Sequence, residues 1–483
     1  MRFEKVIFPF LLMAATGLQA QPLIGHDLEA SLSPDQGTLR VRDTLSLPEG
    51  EDDWTFVLHQ GLEPKVVAGE ARIESLRSRG RMEAFRLRRP GPGPITLSYA
   101  GPLHGDLKTL DEGMGRSRQW TSGIISAEGV VLDGNSGWYP HFPDSLQKFS
   151  LQVDLPPGWT AVSQGAGPNR AETPQGVRVS WREDQPQDDI YLIAAPFVSY
   201  SKATEQGEAQ VYLRVPDAEL AQRYLDATAD YLALYGDLIG PYPYAKFALV
   251  ENFWETGYGM PSFTLLGSRV IRLPFILQSS YPHEILHNWW GNSVYIDYET
   301  GNWSEGLTAY LADHLLKERE GQGAQYRRDS LQAYADYVRG GEDFPLDAFR
   351  GRHGSASQAI GYGKSLMLFH MLRRDLGDET FVAGLRRFYR DNVFRLAGYD
   401  QLRLAFEQAS GRDLKGFFDA WTRRAGAPDL ALAAVTLAPT ASGYRLEGRV
   451  EQTQPQAPFP LTVPLVVHLK DGSLVKLDAT AKK

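Results

Sequence analysis

The 483-residue chain contains no cysteine, so neither a disulfide nor a lipid-modified cysteine operates in it. It also lacks a basic stripe. Fifty Lys and Arg stand against 59 Asp and Glu, a formal net charge of −9, which leaves no surface suited to neutralising phosphates. Nucleic acid is therefore not expected as a partner. A net negative surface chiefly aids solubility. No apolar run reaches the roughly 20 residues that a membrane-spanning helix needs. No internal repeat and no low-complexity tract is present. Serine-nucleophile chemistry is unsupported, because no Gly-x-Ser-x-Gly elbow surrounds Ser304.

The first twenty residues have the pattern of a secretory leader. Arg2 and Lys5 make a short positive start, diluted by Glu4, and Val6 to Leu18 is apolar. Gln19-Ala20 ends in a small residue suited to cleavage. Residues 1–20 are thus expected to be a signal peptide, with an uncleaved anchor as the alternative. An exported product, periplasmic or secreted, is the corresponding expectation, with no membrane span after cleavage. An exported protein without disulfides is ordinary in a bacterium.

Hydrophobic periodicity divides the rest. From 21 to 200 short alternating runs are broken by Gly and Pro, as in Thr38 to Leu45, Phe149 to Leu155 and Val177 to Trp181. Period two predicts an N-terminal antiparallel β domain. From 201 to 428 the period becomes mostly helical. Asp217 is placed to cap a helix running to Gly236, and strands are predicted at Phe247–Val250 and Ser262–Leu266. Helices are predicted near 326–339 and 356–376, then from about Asp378, Tyr399 and Asp413. From 429 to 483 alternation returns, which predicts a small C-terminal β module. The fold class is α+β and multidomain.

Chemistry concentrates at His283-Glu284-Ile285-Leu286-His287 and at Trp303-Ser304-Glu305-Gly306. Two histidines four apart on a helix project from one face, so His283 and His287 can share one metal ion. Glu284 then lies beside the ion, and Glu305 offers a third ligand. Two histidines, one carboxylate and one open position is the pattern of a catalytic zinc site, whereas structural sites are closed by four protein ligands. A five-residue match arises by chance in many proteins; the surroundings are what raise it here. Ser279 and Ser280 are candidate N-caps and Pro282 suits a first turn. Ile285, Leu286, Trp289 and Trp290 bury the helix, and Ser304 is a candidate cap for the second. A carboxylate among such neighbours is costly unless paired or metal-bound. Asn288 and Asn292 are candidates to orient the histidines. His314, His353 and His370 read as a spare histidine, a loop histidine and a core histidine.

These segments, His283 to Asn292 followed by Trp303 to Tyr310, resemble the M1 family of gluzincin metallopeptidases, the aminopeptidase N and leukotriene A4 hydrolase group. The interval between His287 and Glu305 is one residue short of the family's usual spacing. The Trp-x-Glu-Gly-x-Thr-x-Tyr run still singles out Glu305; Glu299 in the loop lacks that helical context. Gly361-Tyr362-Gly363-Lys364-Ser365 resembles the segment carrying the family's transition-state tyrosine, which nominates Tyr362. Trp138-Tyr139-Pro140 and Tyr191 to Ala195 resemble strands of its N-terminal β domain, and Asp413 to Trp421 the end of its catalytic domain.

The resemblance implies a thermolysin-like, mostly helical catalytic domain and one zinc ion per chain. It implies peptide substrates, Glu284 as general base and Tyr362 as oxyanion donor. It places substrate backbone along Gly257, Gly259 and Met260. One departure stands out. Many relatives carry Gly-x-Met-Glu-Asn there, and the Glu grips the substrate's free amine; this chain reads Gly259-Met260-Pro261-Ser262. Glu255, Glu251 or Glu128 are the candidate replacements, and an endopeptidase or an unusual exopeptidase stays open beside the aminopeptidase. A non-catalytic peptide-binding scaffold is a further alternative. Family members often end in a large helical domain for which this chain has no room, so the expected site is more open, or closed by a partner. The oligomeric state is not legible.

Overall fold

The computed structural model describes residues 21–113, 116–339, 341–441 and 443–480. The leader expected at 1–20 lies outside the described residues. Among the described residues no helix is long and apolar enough to cross a membrane.

The N-terminal part is built on a seven-stranded sheet. Its order is Ala166–Thr173, Gly176–Gln187, Leu146–Leu155, Leu23–Ser33, Thr38–Ser46, Ile95–Pro102 and Lys65–Ala68. The strand Thr38–Ser46 shows why the sequence folds so: Leu39, Val41, Asp43 and Leu45 point inward and their neighbours outward. The pairing is antiparallel, as expected, with one exception. Leu23–Ser33 runs parallel to Leu146–Leu155, because a long excursion through the intervening strands returns the chain in the same direction. Smaller sheets of three and four strands share its hydrophobic core.

The second part opens with a five-stranded sheet ordered Val198–Thr204, Gly207–Leu213, Lys246–Asn252, Phe263–Gly267 and Gly257–Met260. The helix Ala218–Leu238 crosses over between the two parallel strands that flank it in sequence. Asp217 caps that helix, accepting from Leu220 N at 2.9 Å. Every residue of Lys246–Asn252 is buried. Phe247 and Leu249 face a helical core that includes Trp289, Leu307 and Phe369. Ala248 and Val250 face the core of the N-terminal sheets. The sheet is therefore covered on both sides, which explains a continuous apolar run rather than alternation. Gly257–Met260 is its edge strand.

Helices complete this part. Ser280–Leu286 and Ser304–Ala309 carry the histidines and Glu305, and Ser365–Leu376 packs on the second of them. The contact is close at Gly306, where an added Cβ meets Ser365 Oγ at 2.0 Å. Two helices contain a π-helical turn, at Tyr310–His314 and at Ala359–Lys364. The predicted helix at 356–376 is thus one helical run with a widened turn in it. The remaining helices are Gly323–Tyr337, Asp378–Asn392, Tyr399–Ser410 and Lys415–Thr422, close to the expected starts.

The C-terminal segment forms two hairpins, Leu430–Thr440 with Gly443–Gln452 and Thr462–His468 with Leu474–Thr480. Its anchor is Phe459, buried against Trp421 at 4.8 Å between ring centroids.

A buried polar knot backs the Glu305 helix. His314 is fully buried, with Nε2 2.7 Å from Arg327 Nη1, and His370 Nδ1 lies 3.2 Å from Tyr310 OH. Burial, then the guanidinium groups of Arg327 and Arg373, pull His314 down to about 4 and His370 to about 3. Unfolded histidines titrate near ~6.5. The unfolded chain therefore takes up these protons first, and stability present above that pH drains away as pH falls toward 4. A melting-temperature series should decline across that window, and His370→Gln should flatten part of the decline.

Candidate active site

Glu305 Oε2 lies 3.4 Å from His283 Nε2 and 3.5 Å from His287 Nε2. The donor atoms of the three residues fall within 4.8 Å of one another. Side-chain exposures of 13%, 16% and 21% put them inside the protein with one open side. Bonds of about 2.0–2.1 Å to one tetrahedral ion place neighbouring donors roughly 3.3 Å apart. The observed separations match that edge. Glu305 Oε2 is also buried without a hydrogen-bond partner. An unpartnered buried carboxylate oxygen facing two imidazole nitrogens fits a divalent cation, and this nitrogen and oxygen set fits zinc.

Helical spacing brings the two histidines together, with ring centroids 4.9 Å apart. The helix ends at His287. The capping expectations for the serines fail. Ser279 Oγ donates to Phe275 O instead of capping, and Ser304 Oγ donates to Trp290 O at 2.6 Å. Ser304 N is received by Asn302 Oδ1 at 3.1 Å, so the asparagine serves that helix start. Ser304 reaches back toward the histidine helix because Trp290, Trp303 and Phe388 pack the two segments together.

Orientation of the histidines comes from residues the spacing did not nominate. His283 Nδ1 lies 3.2 Å from Asp313 Oδ2, and His287 Nδ1 lies 2.9 Å from the carbonyl of Trp290. These contacts leave both Nε2 atoms toward Glu305. Asn288 and Asn292 do not play this part. Asn288 Oδ1 accepts from Ser262 N at 2.6 Å, tying the histidine helix to the edge strand. The signal for Asp313 was present in the sequence: it stands two helical turns beyond Glu305, on the same face.

Glu284 lines the cleft beside the three donors. Burial raises its carboxyl above the ordinary range, while both histidines pull it back. Burial acts on Glu305 in the same direction, but His287 and His283 overcome it and hold Glu305 ionised. Tyr362 lies in the π-helical turn Ala359–Lys364, its ring stacked at 6.3 Å and 15° on His283. Burial, then the Glu305 charge, keep its hydroxyl protonated. The site thus holds a base, two acceptor nitrogens, an acid anion and a phenol donor around one point.

Gly257 and Gly259 line the same cleft, a cavity of about 980 Å³; Tyr258 between them lines it too and was not nominated. Met260 does not. It is 8% exposed and belongs to the N-terminal core, packed there beside the base of Tyr258. Gly259 has a steric reason: an added Cβ would lie 2.4 Å from Glu284 Oε2. Lys246, also missed, braces the strand's end. It is 1% exposed, and Nζ donates to Ser163 O, Ser262 O and Ser262 Oγ at 2.8, 3.0 and 2.8 Å.

The three proposed substitutes for the missing glutamate lie elsewhere. Glu255 is bound to Arg269 at 3.2 Å. Glu251 is 2% exposed and receives Arg272 at 2.7 Å. Glu128 offers only its carbonyl, to Arg214. None of them lines the cleft. Of the spare histidines, His314 is buried and His370 half-buried in the polar knot, and His353 is exposed on its loop.

The model of the peptidase family M1 domain matches residues 277–421, which contain all three donors, Glu284 and Tyr362. Residues 277–421 are thus similar to a peptidase family M1 domain. Aminopeptidase 2, mitochondrial, of Saccharomyces cerevisiae is 25% identical over 329 residues, covering 61% of this chain and 33% of the yeast protein. Aminopeptidase N of Lactococcus lactis is 26% identical over 397 residues, covering 72% and 44%. The chain thus spans less than half the length of these M1 relatives. The M1 zinc metallopeptidase of Deinococcus radiodurans has the same fold, with a TM-score of 0.63 and 18% identity over 85% of this chain and 96% of that one.

Two site variants follow. Gly259→Ala should push Glu284 off its position and lower peptide turnover by roughly 10²-fold at unchanged zinc content. Asp313→Asn should weaken zinc affinity about 10–100-fold, read by competition with a chelator.

Proposed function

We propose that the chain is a zinc-dependent peptidase acting on peptides, and specifically an aminopeptidase. The observation carrying this is the placement of Glu305 Oε2 against Nε2 of His283 and His287, with Glu284 and Tyr362 on the open side. The M1 relatives named above are aminopeptidases, which supports the finer reading.

When bound, zinc supplies Lewis acidity that brings the pKa of a coordinated water toward ~7. His283, His287 and Glu305 would hold the ion, and Asp313 and the Trp290 carbonyl fix the rings. Glu284 accepts the proton of the attacking water and passes it to the leaving amine. Its burial raises its basicity toward what that exchange needs. The Tyr362 hydroxyl donates to the oxyanion that develops on the scissile carbonyl. The free edge of Gly257–Met260 is suited to pair with an extended substrate backbone, and Gly259 lets that backbone approach Glu284.

Pro261 favours a second reading. With no glutamate at that position, a peptidase indifferent to a free amino terminus fits the catalytic segment equally well. Parallel assays of free and N-acetylated peptides separate the two: equal turnover removes the aminopeptidase reading. Export, to the periplasm or the medium, is proposed from the leader pattern at residues 1–20.

Glu284→Gln should retain about one zinc per chain by metal analysis and lose peptide hydrolysis. Activity surviving that change ends the proposal. Tyr362→Phe should lower kcat by ~10²–10³ with KM little changed.

A further inference from the structure

The cleft contains a carboxylate that the reaction above does not use. Asp188 belongs to the loop between Gly176–Gln187 and Leu192–Ala195 of the N-terminal sheets, and it lines the same cavity as His283, Glu284 and Glu305. Its neighbour Asp189 is occupied, accepting from Gly134 N, Ile190 N and Tyr139 OH at 2.8, 2.7 and 2.9 Å. Among the described residues, Asp188 has backbone amides alone. Although the side chain opens to the cleft, the surrounding protein pushes its carboxyl up to about 6 by desolvation, and no cation among the described residues offsets this.

Aromatic groups share the cleft with it. Tyr191, Tyr295 and Tyr298 line the same cavity as Asp188 and Glu305. Besides burial, the charge of Asp188 helps to raise all three hydroxyls, and Glu305 acts on Tyr298 as well. A carboxylate without a counter-ion, set among aromatic rings, is a receptor for a cation. One carboxylate is too few ligands for a metal ion, so an organic ammonium is the fitting guest.

The position on the edge strand says which ammonium. Met260 leads into Pro261-Ser262, where the strand ends. Ser262 Oγ receives Gly165 N at 3.3 Å. Next to it, Gln164 donates to Asp189 O at 2.6 Å and accepts from Tyr191 N at 3.0 Å. The Asp188 loop is thus tied to the terminus of the very strand along which an extended peptide pairs. Met260, Ser262 and Gln164 are all buried there, so the passage closes. A chain end fits such a place and a continuing chain does not.

The geometry points to Asp188 as the anion that receives the α-ammonium of the peptide's first residue, so that the N-terminal β domain selects for free amino termini. This rests on the peptidase reading and deepens it. The glutamate absent at position 261 is replaced from the other domain. Asp188 is a specificity-determining residue here; it moves no proton of the reaction.

Binding to the Glu284→Gln protein tests the anchor without turnover, so it stays separate from failure of the peptidase reading, which wild-type hydrolysis reports. The zinc-loaded variant is titrated by calorimetry with Phe-Ala-Ala and with its N-acetyl form. Asp144 is a second carboxylate on the cleft wall and serves as the control. The expected result is at least roughly ten-fold tighter binding of the free form, with the preference lost in Asp188→Asn/Glu284→Gln and retained in Asp144→Asn/Glu284→Gln. Zinc content and melting temperature should be the same in all three. A preference that survives Asp188→Asn overturns the assignment, as does equal binding of the two peptides by the Glu284→Gln protein. N-acetyl-Lys-Ala-Ala separates a side-chain ammonium from a terminal one. If it binds as tightly as Phe-Ala-Ala, and Asp188→Asn weakens it, the guest is a lysine and the terminal assignment falls.

Discussion

One buried carboxylate sets the terms for everything near it. Glu305 Oε2 has no hydrogen-bond partner and faces two imidazole nitrogens at 3.4 and 3.5 Å. An ionised carboxylate withdrawn from water costs several kcal/mol unless opposite charge repays it. The surroundings are arranged to hold that oxygen and those nitrogens in place rather than to neutralise them separately. Asp313 and the Trp290 carbonyl each take the far side of one histidine, so neither ring is free to turn away. Close approach of Gly306 to Ser365 brings the Glu305 helix onto the helical run that carries Tyr362.

The same centre depends on a sheet that is buried twice. Residues alternating along Lys246–Asn252 enter two cores, one helical and one belonging to the N-terminal sheets. This strand fixes its neighbours, and through them the edge strand that forms one wall of the cleft. Lys246 adds a polar brace, donating three hydrogen bonds where the edge strand ends. Asn288 joins that brace to the histidine helix through Ser262 N. The cleft is accordingly a property of two domains, with Asp188 contributed by one and the three donors by the other.

Two π-helical turns lie at the points of highest demand. One follows Glu305 and includes Asp313; the other includes Tyr362. A widened turn shifts the facing of the residues after it relative to a regular helix. Here it accompanies the two side chains that must converge on His283 from different helices: Asp313 on Nδ1 and Tyr362 on the ring face.

Sequence alone determined the parts that depend on local spacing. His283 and His287 share a face because a helix repeats every 3.6 residues, and period-two runs such as Thr38–Ser46 became half-buried strands because alternate side chains leave a sheet on opposite sides. The helical starts near Asp217, Asp378 and Tyr399 were legible for the same reason. What tertiary structure decided is every contact between segments distant in the chain. Asp313 oriented His283 where Asn288 and Asn292 had been nominated, Ser279 and Ser304 gave their hydroxyls to carbonyls instead of capping, and Met260 turned into a core. Glu255 and Glu251 were drawn to arginines and Glu128 stayed outside the cleft, while Asp188, far from the zinc segment in sequence, came to it. Periodicity fixes which side of an element a residue occupies; which partner waits on that side is set only when the elements pack.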